Sequence, residues 1–290
     1  MIIGTMKVIL AQSSGFCFGV KRAVDLALHA TRSDVQQPLY TDGPLIHNPQ
    51  ALAVLSKKGV TPLEMLPARL DGTIIVRSHG ITPQRRETLE KTGATIVDAT
   101  CPKVRAVQSI IQDHAHQGYI VIIVGEAHHA EVQGLLGYAG AKGIAIETEK
   151  DLPELPPDTR LCVVAQTTQN RENYLRLAEA IKKRFPRTEV FDTICNANRR
   201  RQEELLELCP IVNAIVVLGG RESGNTKRLA EIARATGTPT FFAETKDDLS
   251  LDRLKCFETI GVIGGASTPE WVIQDVVKTL EHLGADAAPA

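Results

Sequence analysis

TIVDATCPKVRAV (95–107) and EVFDTICNANRRR (189–201) are two versions of one pattern: an apolar strand ending in Asp, two further residues, a Cys and then a helix. A third stretch, KVILAQSSGFCFGVKRAV (7–24), has the same order of strand, Cys and helix with a longer turn. The three cysteines lie 84 and 94 residues apart, which is about the length of one small α/β domain. This internal repeat predicts three similar α/β modules.

Apolar runs such as YIVIIV (119–124), AIVVL (214–218) and TIGVI (259–263) alternate with amphipathic stretches. Continuous apolar runs are typical of strands in parallel sheets that helices cover on both faces. The alternation predicts an α/β fold with mostly parallel sheets. The predicted boundaries are an N-terminal strand in 1–16 that joins the third module, modules at 17–100, 101–194 and 195–284, and a frayed tail at 285–290.

Composition narrows the class of protein. Hydrophobic residues make up 43% and charged residues 23% of the 290 residues, and 33 basic against 34 acidic residues leave a net charge of −1. These values are ordinary for a globular protein and give no long-range field that would attract nucleic acid. No apolar run approaches the roughly 18 residues of a membrane span, and the N-terminus lacks the pattern of a signal peptide. We therefore expect a cytoplasmic protein with reduced cysteines and neither nucleic-acid nor membrane partners.

The six cysteines divide into two groups. Cys17, Cys101 and Cys195 each lie where a strand ends and a helix begins, the edge at which open α/β sheets collect ligands. A helix N-terminus lowers the pKa of a thiol and favours the metal-binding thiolate. If the modules pack around a pseudo-threefold axis, the three sulfurs meet at its centre, and three thiolates suit either zinc or an iron–sulfur cluster.

The other cysteines lie within or beside apolar segments, where a thiol is usually a small buried hydrophobe. This prediction covers Cys162, Cys209 and Cys256.

Polar side chains gather at the same kind of junction, with glycines and helix N-termini suited to binding an anion. They are His47, His79, His129, Thr167, Thr168, Ser223, Asn225 and Ser267. The chain has neither the GxxxxGK[ST] pattern of a P-loop nor a GxGxxG after a strand, which disfavours a nucleotide site. Glu131 is either a first-turn carboxylate that complements a helix dipole or a proton donor beside the anion site. The run 199–201 of three arginines is interpreted as a solvated helix face.

Nine motifs carry a resemblance to a known family. They are SGFCFGVKRAV, IHNPQAL, VRSHGI, DATCPKV, HAEVQG, QTTQ, DTICNANRRRQ, SGNTKRL and GGAST. In this order, from residue 14 to about residue 270, they resemble the 4-hydroxy-3-methylbut-2-enyl diphosphate reductases. The resemblance covers nearly the whole chain.

The resemblance implies a fold and an activity. The fold is a cloverleaf of three α/β modules around a central iron–sulfur cluster. The activity is the last step of the non-mevalonate isoprenoid pathway, in which the allylic hydroxyl is removed reductively to give isopentenyl and dimethylallyl diphosphate. Two electrons come from an external donor such as a ferredoxin or flavodoxin system. They pass through a 4Fe–4S cluster whose open iron binds the substrate oxygen.

The resemblance also implies roles for individual residues. Cys17, Cys101 and Cys195 match the cluster ligands, and Glu131 matches the proton-relay carboxylate. The substrate-binding residues are His47, His79, His129, Thr168, Ser223, Asn225 and Ser267, of which Thr168 matches a threonine near the substrate hydroxyl. One position departs from the pattern: many members carry a second serine between Ser223 and Asn225, where this chain has Gly224.

Two readings from other classes stay open from the sequence. One is an iron–sulfur or zinc sensor without turnover, and the other is a hydrolase or phosphatase with a structural metal. A near-neutral charge speaks against a DNA-binding sensor.

Overall fold

The computed structural model describes residues 6–286 of the chain. Its described part contains twelve β-strands, which are β1 (Lys7–Leu10), β2 (Leu39–Asp42), β3 (Val60–Leu63), β4 (Thr73–Val76), β5 (Thr95–Asp98), β6 (Ile120–Val124), β7 (Gly143–Ile146), β8 (Leu161–Ala165), β9 (Thr188–Val190), β10 (Ala214–Leu218), β11 (Thr240–Ala243) and β12 (Thr259–Gly264).

Helices separate most of these strands. The α-helices of the described residues are α1 (Phe18–Ala30), α2 (Pro49–Lys57), α3 (Pro83–Lys91), α4 (Pro102–His116), α5 (Ala130–Ala139), α6 (Arg171–Arg184), α7 (Asn196–Leu208), α8 (Gly224–Ala235), α9 (Leu251–Leu254) and α10 (Glu270–Asp286). None of them is long and apolar enough to cross a membrane.

The strands form three parallel sheets of four strands each, in the orders β1-β12-β10-β11, β3-β2-β4-β5 and β7-β6-β8-β9. Every described strand pair is parallel. The N-terminal strand β1 pairs with β12, so the first strand of the chain completes the sheet built by its last part. The predicted α/β fold of three parallel-sheet modules is confirmed.

The long apolar runs form strands because side chains of both strand faces are buried in cores shared with helices. In the sheet of β6 to β9, Ile123 and Val164 face a core shared with α4 and α5, while Ile122 and Val163 face a second core shared with α6. Successive residues of a strand point to opposite faces, so a strand between two cores has no polar position. All five residues of β8 are buried accordingly.

The chain divides into two compact units. The first contains the chain up to Cys17, the segment His47–Ala51 and the chain from Asn196 onward, and it carries the sheet of β1, β10, β11 and β12. The second contains Phe18–Ile46 and Leu52–Cys195 and carries the other two sheets. Residues 285 and 286 of the predicted tail belong to α10, and residues 287–290 lie outside the described part.

Three elements lack a clear periodic pattern in the sequence. Strand β3 contains Pro62 and lies at the edge of its sheet, the position at which a strand tolerates proline. Helix α5 contains Gly134 and Gly137, which weaken a helical pattern. A Cβ at Gly137 would lie 2.5 Å from the side chain of Thr82, so close packing explains this glycine. The third element, α9, is a single turn of four residues.

Candidate functional site

In each Asp-x-x-Cys repeat, the aspartate side chain accepts a hydrogen bond from the backbone between it and the cysteine. The Oδ1 atom of Asp98 accepts a hydrogen bond of 2.9 Å from the backbone N–H of Thr100, two residues later. In the second copy, Asp192 Oδ1 accepts one of 3.3 Å from Ile194 N–H. In both copies this bonded segment follows the strand and leads into the cysteine that precedes a helix.

Asp98 also forms ion pairs with two arginine side chains. Burial raises the pKa of Asp98, but the hydrogen bonds from Thr100 and the charges of Arg105 and Arg86 outweigh it and hold the pKa below its usual value. The two guanidinium groups approach the carboxylate to 3.1 and 3.0 Å. Asp98 is therefore ionised when it holds the turn.

Cys101 and Cys195 lie in the second unit, and both are half-buried. The N–H of Cys101 donates to the carbonyl of Ser78 at 2.9 Å, and the N–H of Cys195 donates to the carbonyl of Thr167 at 3.0 Å. A Cβ at Gly19 would lie 2.5 Å from the Sγ atom of Cys101. Only glycine leaves the space around this sulfur, so the FCFGV segment is shaped to the thiol.

Cys17 lies in the first unit, half-buried, and its N–H donates to the carbonyl of Ala266 at 2.9 Å. The segment before it is held by α7. Both carboxylate oxygens of Glu204 accept backbone N–H groups, from Gln12 at 2.5 Å and from Ser13 at 2.8 Å. Burial raises the pKa of Glu204, but these hydrogen bonds outweigh it and keep the pKa below its usual value.

One turn earlier on α7, Arg201 donates to the carbonyl of Gly15 at 2.5 Å. The interpretation of this arginine as part of a solvated face is wrong, because Arg201 is only 4% exposed. Arg200, its neighbour, is exposed as expected. Three consecutive arginines cannot all lie on the exposed face of one helix, and the sequence alone does not show that Arg201 is the buried one.

The remaining cysteines differ among themselves. Cys162 and Cys209 are buried as predicted, but Cys256 is exposed. It follows α9 in the turn before β12, so its apolar neighbours do not bury it, and the prediction for this residue is wrong. Burial, and then the charge of Glu189, raise the pKa of Cys162 to about 12. A thiol with that pKa is a poor metal ligand.

Glu131 is the second residue of α5, and only 2% of it is exposed. Thr167, just beyond the end of β8, binds both of its oxygens: the backbone N–H donates to Oε1 at 2.6 Å and the hydroxyl donates to Oε2 at 2.8 Å. Burial raises the pKa of Glu131 and is only partly offset by these hydrogen bonds. The structure thus contains a buried carboxyl group that favours the protonated form.

His129 caps α5. Its Nδ1 atom accepts the backbone N–H of Glu131 at 3.1 Å, so the neutral ring carries its hydrogen on Nε2. The ring of His79 lies across that of His129, with the centroids 5.5 Å apart and the planes at 78°. The second unit therefore brings together His79 and His129, two of the three histidines predicted to bind substrate, with His129 bonded to the backbone of Glu131.

Thr168 is oriented by its neighbour Gln166, which is 1% exposed. The Gln166 amide accepts the N–H of Glu126 at 3.1 Å and donates to the hydroxyl of Thr168 at 3.0 Å. Because the Thr168 hydroxyl is an acceptor in this bond, it keeps its own hydrogen to donate.

In the first unit, three predicted residues meet at the carboxyl ends of the neighbouring strands β10 and β12. The hydroxyl of Ser267 lies 3.1 Å from the carbonyl oxygen of His47 and 3.3 Å from the hydroxyl of Ser223. A Cβ at Gly220 would lie 2.4 Å from the same carbonyl oxygen, so glycine permits this approach. Ser223 also caps α8 by accepting the N–H of Thr226 at 3.4 Å.

Asn225, in the first turn of α8, is 3% exposed, and its Nδ2 atom makes no hydrogen bond to any described group. A buried donor without a partner costs about 1–3 kcal/mol, so this amide suits a ligand oxygen. Gly224 begins the helix and offers a backbone N–H but no hydroxyl. The departure at this position thus leaves the helix N-terminus intact.

The sequence-based argument gave no role to four residues of these surroundings, which are Gly19, Arg201, Glu204 and Gly220. It placed Thr167 only among the anion-binding side chains and missed its bond to Glu131. Thr167 adjoins Thr168 in the QTTQ motif, and Gly19 follows Cys17 by two residues, so position in a motif was the available signal.

The chain is similar to known proteins along nearly its whole length. The model of the family described as LytB protein matches residues 8–281. The 4-hydroxy-3-methylbut-2-enyl diphosphate reductase of Aquifex aeolicus is 40% identical over 279 residues, covering 95% of this chain and 96% of the relative.

Two solved structures are similar to the chain. One is the E-1-hydroxy-2-methyl-but-2-enyl-4-diphosphate reductase from Plasmodium falciparum, with a TM-score of 0.90 and 29% identity over 95% of this chain and 88% of that chain. The other is an (E)-4-hydroxy-3-methyl-but-2-enyl diphosphate reductase described as the terminal enzyme of the non-mevalonate pathway, with a TM-score of 0.69 and 40% identity over 96% and 99%. With a family match over nearly its whole length, the chain belongs to the LytB protein family.

Proposed function

We propose that this reductase converts 4-hydroxy-3-methylbut-2-enyl diphosphate into isopentenyl and dimethylallyl diphosphate. Two electrons and two protons are consumed: the C–O bond to the allylic hydroxyl breaks, a C–H bond forms, and the oxygen leaves as water. Relatives with this name along nearly their whole length support the reaction. The observation that carries it is the buried Glu131, held by Thr167 as a carboxyl group that favours its proton.

The cysteine set fits the iron–sulfur cluster that the resemblance implies. Cys17, Cys101 and Cys195 are half-buried thiols that directly precede helices, and Gly19 leaves the sulfur of Cys101 accessible. These residues would hold the cluster, and the raised pKa of Cys162 argues against that thiol as a substitute. When bound, the cluster supplies one-electron transfer and an iron without a protein ligand that acts as a Lewis acid.

In the first unit, we assign His47, Ser223, Asn225 and Ser267 to the diphosphate. The unpartnered amide of Asn225, the hydroxyl pair and the N-terminus of α8 are donors suited to phosphate oxygens. In the second unit, the resemblance assigns His79 and His129 to the same group. Because His129 accepts at Nδ1, its donor to a phosphate oxygen is Nε2–H.

Glu131 supplies the proton. The backbone N–H of Thr167 can only donate, so Oε1 stays an acceptor and the proton of the neutral acid lies on Oε2. The Thr167 hydroxyl, which donates to Oε2 of the ionised form, turns to accept that proton from the neutral form. Thr168 offers its hydroxyl hydrogen to the substrate oxygen, which weakens the C–O bond.

Turnover separates this proposal from a sensor or hydrolase. Protein purified without oxygen is mixed with the substrate and viologen reduced by dithionite, and the two products are quantified by mass spectrometry. We expect a brown protein that forms both products, whereas the Cys101→Ser variant is pale and inactive. A brown wild-type protein without product would indicate a sensor, and release of phosphate would indicate a hydrolase.

A further inference from the structure

Phe18 is an exposed aromatic residue beside the proposed ligands. It is 72% exposed, although it is the first residue of a well-packed helix. Cys17 precedes it in the chain, and Gly19, which follows it, borders the Sγ atom of Cys101. Phe18 therefore follows the proposed ligand Cys17 in the chain and precedes Gly19, which borders the proposed ligand Cys101.

The exposed ring borders a groove whose exposed lining is mainly apolar. A groove of about 410 Å³ is lined by one face of α1, formed by Phe18, Lys21, Arg22, Asp25, Leu26 and His29. Phe18 and Leu26 are its apolar residues, and the charged side chains flank them. An apolar centre with a charged rim is the usual anatomy of a protein-binding surface.

Helices α1 and α4 carry basic residues in their first turns, where acidic residues are favourable. A helix N-terminus carries a partial positive charge and favours carboxylates, yet the first turns of α1 and α4 contain none. Lys21 in α1 and Lys103 and Arg105 in α4 occupy these turns instead. The positive potential of each helix end is therefore reinforced rather than neutralised.

One arginine of α1 and one of α4 meet at Asp98. Arg22 donates to the carbonyl oxygens of Thr100 and Asp98 at 3.3 and 3.5 Å, and Arg105 binds the carboxylate of Asp98 at 3.1 Å. Lys21 forms an ion pair of 3.3 Å with Asp25 on the same helix, so the excess positive charge of this surface comes from Arg22 and Lys103. Lys103 is exposed, and no carboxylate of the described residues forms an ion pair with it.

We infer that this surface, formed by Phe18, Lys21, Arg22, Lys103 and Arg105, is the docking site of a small acidic electron-carrier protein. The inference rests on the proposed function, because that reaction requires an external reductant. The carrier has the complementary charge, and each docking event oxidises it by one electron, so two encounters supply one turnover. Basic rim groups steer an acidic partner and Phe18 anchors it.

The first test measures binding, with no turnover. Oxidised 2Fe–2S ferredoxin of the acidic plant type is titrated calorimetrically into the holoprotein. For Phe18→Ala, Lys21→Glu and Lys103→Glu we expect the Kd to rise about tenfold or more, and for the wild type we expect weaker binding at high salt. The matched controls are Met65→Ala, which truncates another exposed apolar residue, and Lys58→Glu, which makes the same charge change elsewhere. We expect both to bind as the wild type does.

The second test measures turnover with two reductants. In the three variants we expect the KM for reduced ferredoxin to rise about tenfold, with kcat unchanged when reduced viologen supplies the electrons. The inference is overturned if the variants bind and use ferredoxin normally, or if the wild type does not bind ferredoxin. It is also overturned if viologen-driven turnover falls equally, since the residues then act on the active site. Failure of the proposed function differs from all of these, because the wild type then forms no product with either reductant.

Discussion

Thr167 binds both carboxylate oxygens of Glu131, one through its backbone N–H at 2.6 Å and the other through its hydroxyl at 2.8 Å. The two residues are 36 positions apart in the chain: Glu131 lies in the first turn of α5, after β6, and Thr167 lies just after the paired strand β8. One oxygen is thereby fixed as an acceptor, and the proton of the neutral acid is confined to the oxygen that faces a rotatable hydroxyl. This geometry is why we propose Glu131 as the proton donor of the candidate site.

Glu131→Gln tests that role. Glutamine keeps the size and most of the hydrogen bonding but carries no transferable proton, so we expect turnover with reduced viologen to fall roughly a hundredfold or more. Bound iron and substrate affinity should stay near wild-type values. The matched control is Glu172→Gln, which removes an exposed first-turn carboxylate from α6. If the two variants are equally active, Glu131 only complements a helix dipole.

Thr167→Val should shift the pH profile of turnover. The hydroxyl of Thr167 favours the ionised carboxylate and lowers the pKa of Glu131, against the larger effect of burial, which raises it. Removing the hydroxyl therefore raises this pKa further. Since the acid must be protonated to act, activity falls as pH rises through the pKa, and we expect the descending limb to move to higher pH in the variant. A limb that stays in place or moves to lower pH would contradict the assignment.

Replacing single cysteines tests the ligand set. Cys17→Ser, Cys101→Ser and Cys195→Ser should each lose iron, as measured by chemical analysis and by visible absorbance. Cys256→Ser is the control, because this thiol is exposed and its replacement should change neither iron content nor stability by more than about 0.5 kcal/mol. Cys162→Ser should keep its iron although burial of a hydroxyl lowers stability, and equal iron loss at Cys162 and Cys101 would refute the division into two groups.

Gly19→Ala should impair cluster binding with all three cysteines present. The added Cβ would lie 2.5 Å from the Sγ atom of Cys101, which is closer than the atoms can approach. We expect low iron content with normal circular dichroism. Gly134→Ala is the matched control: Gly134 is also a buried helical glycine, but its added Cβ would be 3.7 Å from its nearest neighbours. Normal iron content in both variants would mean that the space at Gly19 is not needed.

Asn225→Ala should weaken diphosphate binding. A hydrogen bond to a charged group contributes about 1.5–3 kcal/mol, which corresponds to a roughly ten- to hundredfold rise in the substrate Kd. Inorganic diphosphate should lose affinity by a similar factor, whereas the isoprenoid alcohol without phosphates should bind the variant and the wild type alike. The affinities can be measured calorimetrically on oxidised protein, and an unchanged Kd would remove Asn225 from the site.

Much of the fold follows from local sequence. Runs such as AIVVL (214–218) have to be strands with both faces covered, and the Asp-x-x-Cys turns at Asp98 and Asp192 form through hydrogen bonds between residues two positions apart. Such local patterns predict the structure correctly where the interactions lie within a single strand, turn or helix. They fail at β3 and α5, where proline and glycine are tolerated because of an edge position and a close helix contact.

The surroundings of the reactive groups depend on contacts between distant parts of the chain. The sequence points to a strand–Cys–helix repeat and to the polar motifs, and the residue types alone suggest an anion site beside thiols. It cannot distinguish Thr167 from Thr168 as the partner of Glu131, or reveal that Arg201 points inward while Arg200 does not. Those assignments depend on which face of a helix is covered and on which loops meet at a sheet edge. Packing over long separations decides both, and no local pattern encodes them.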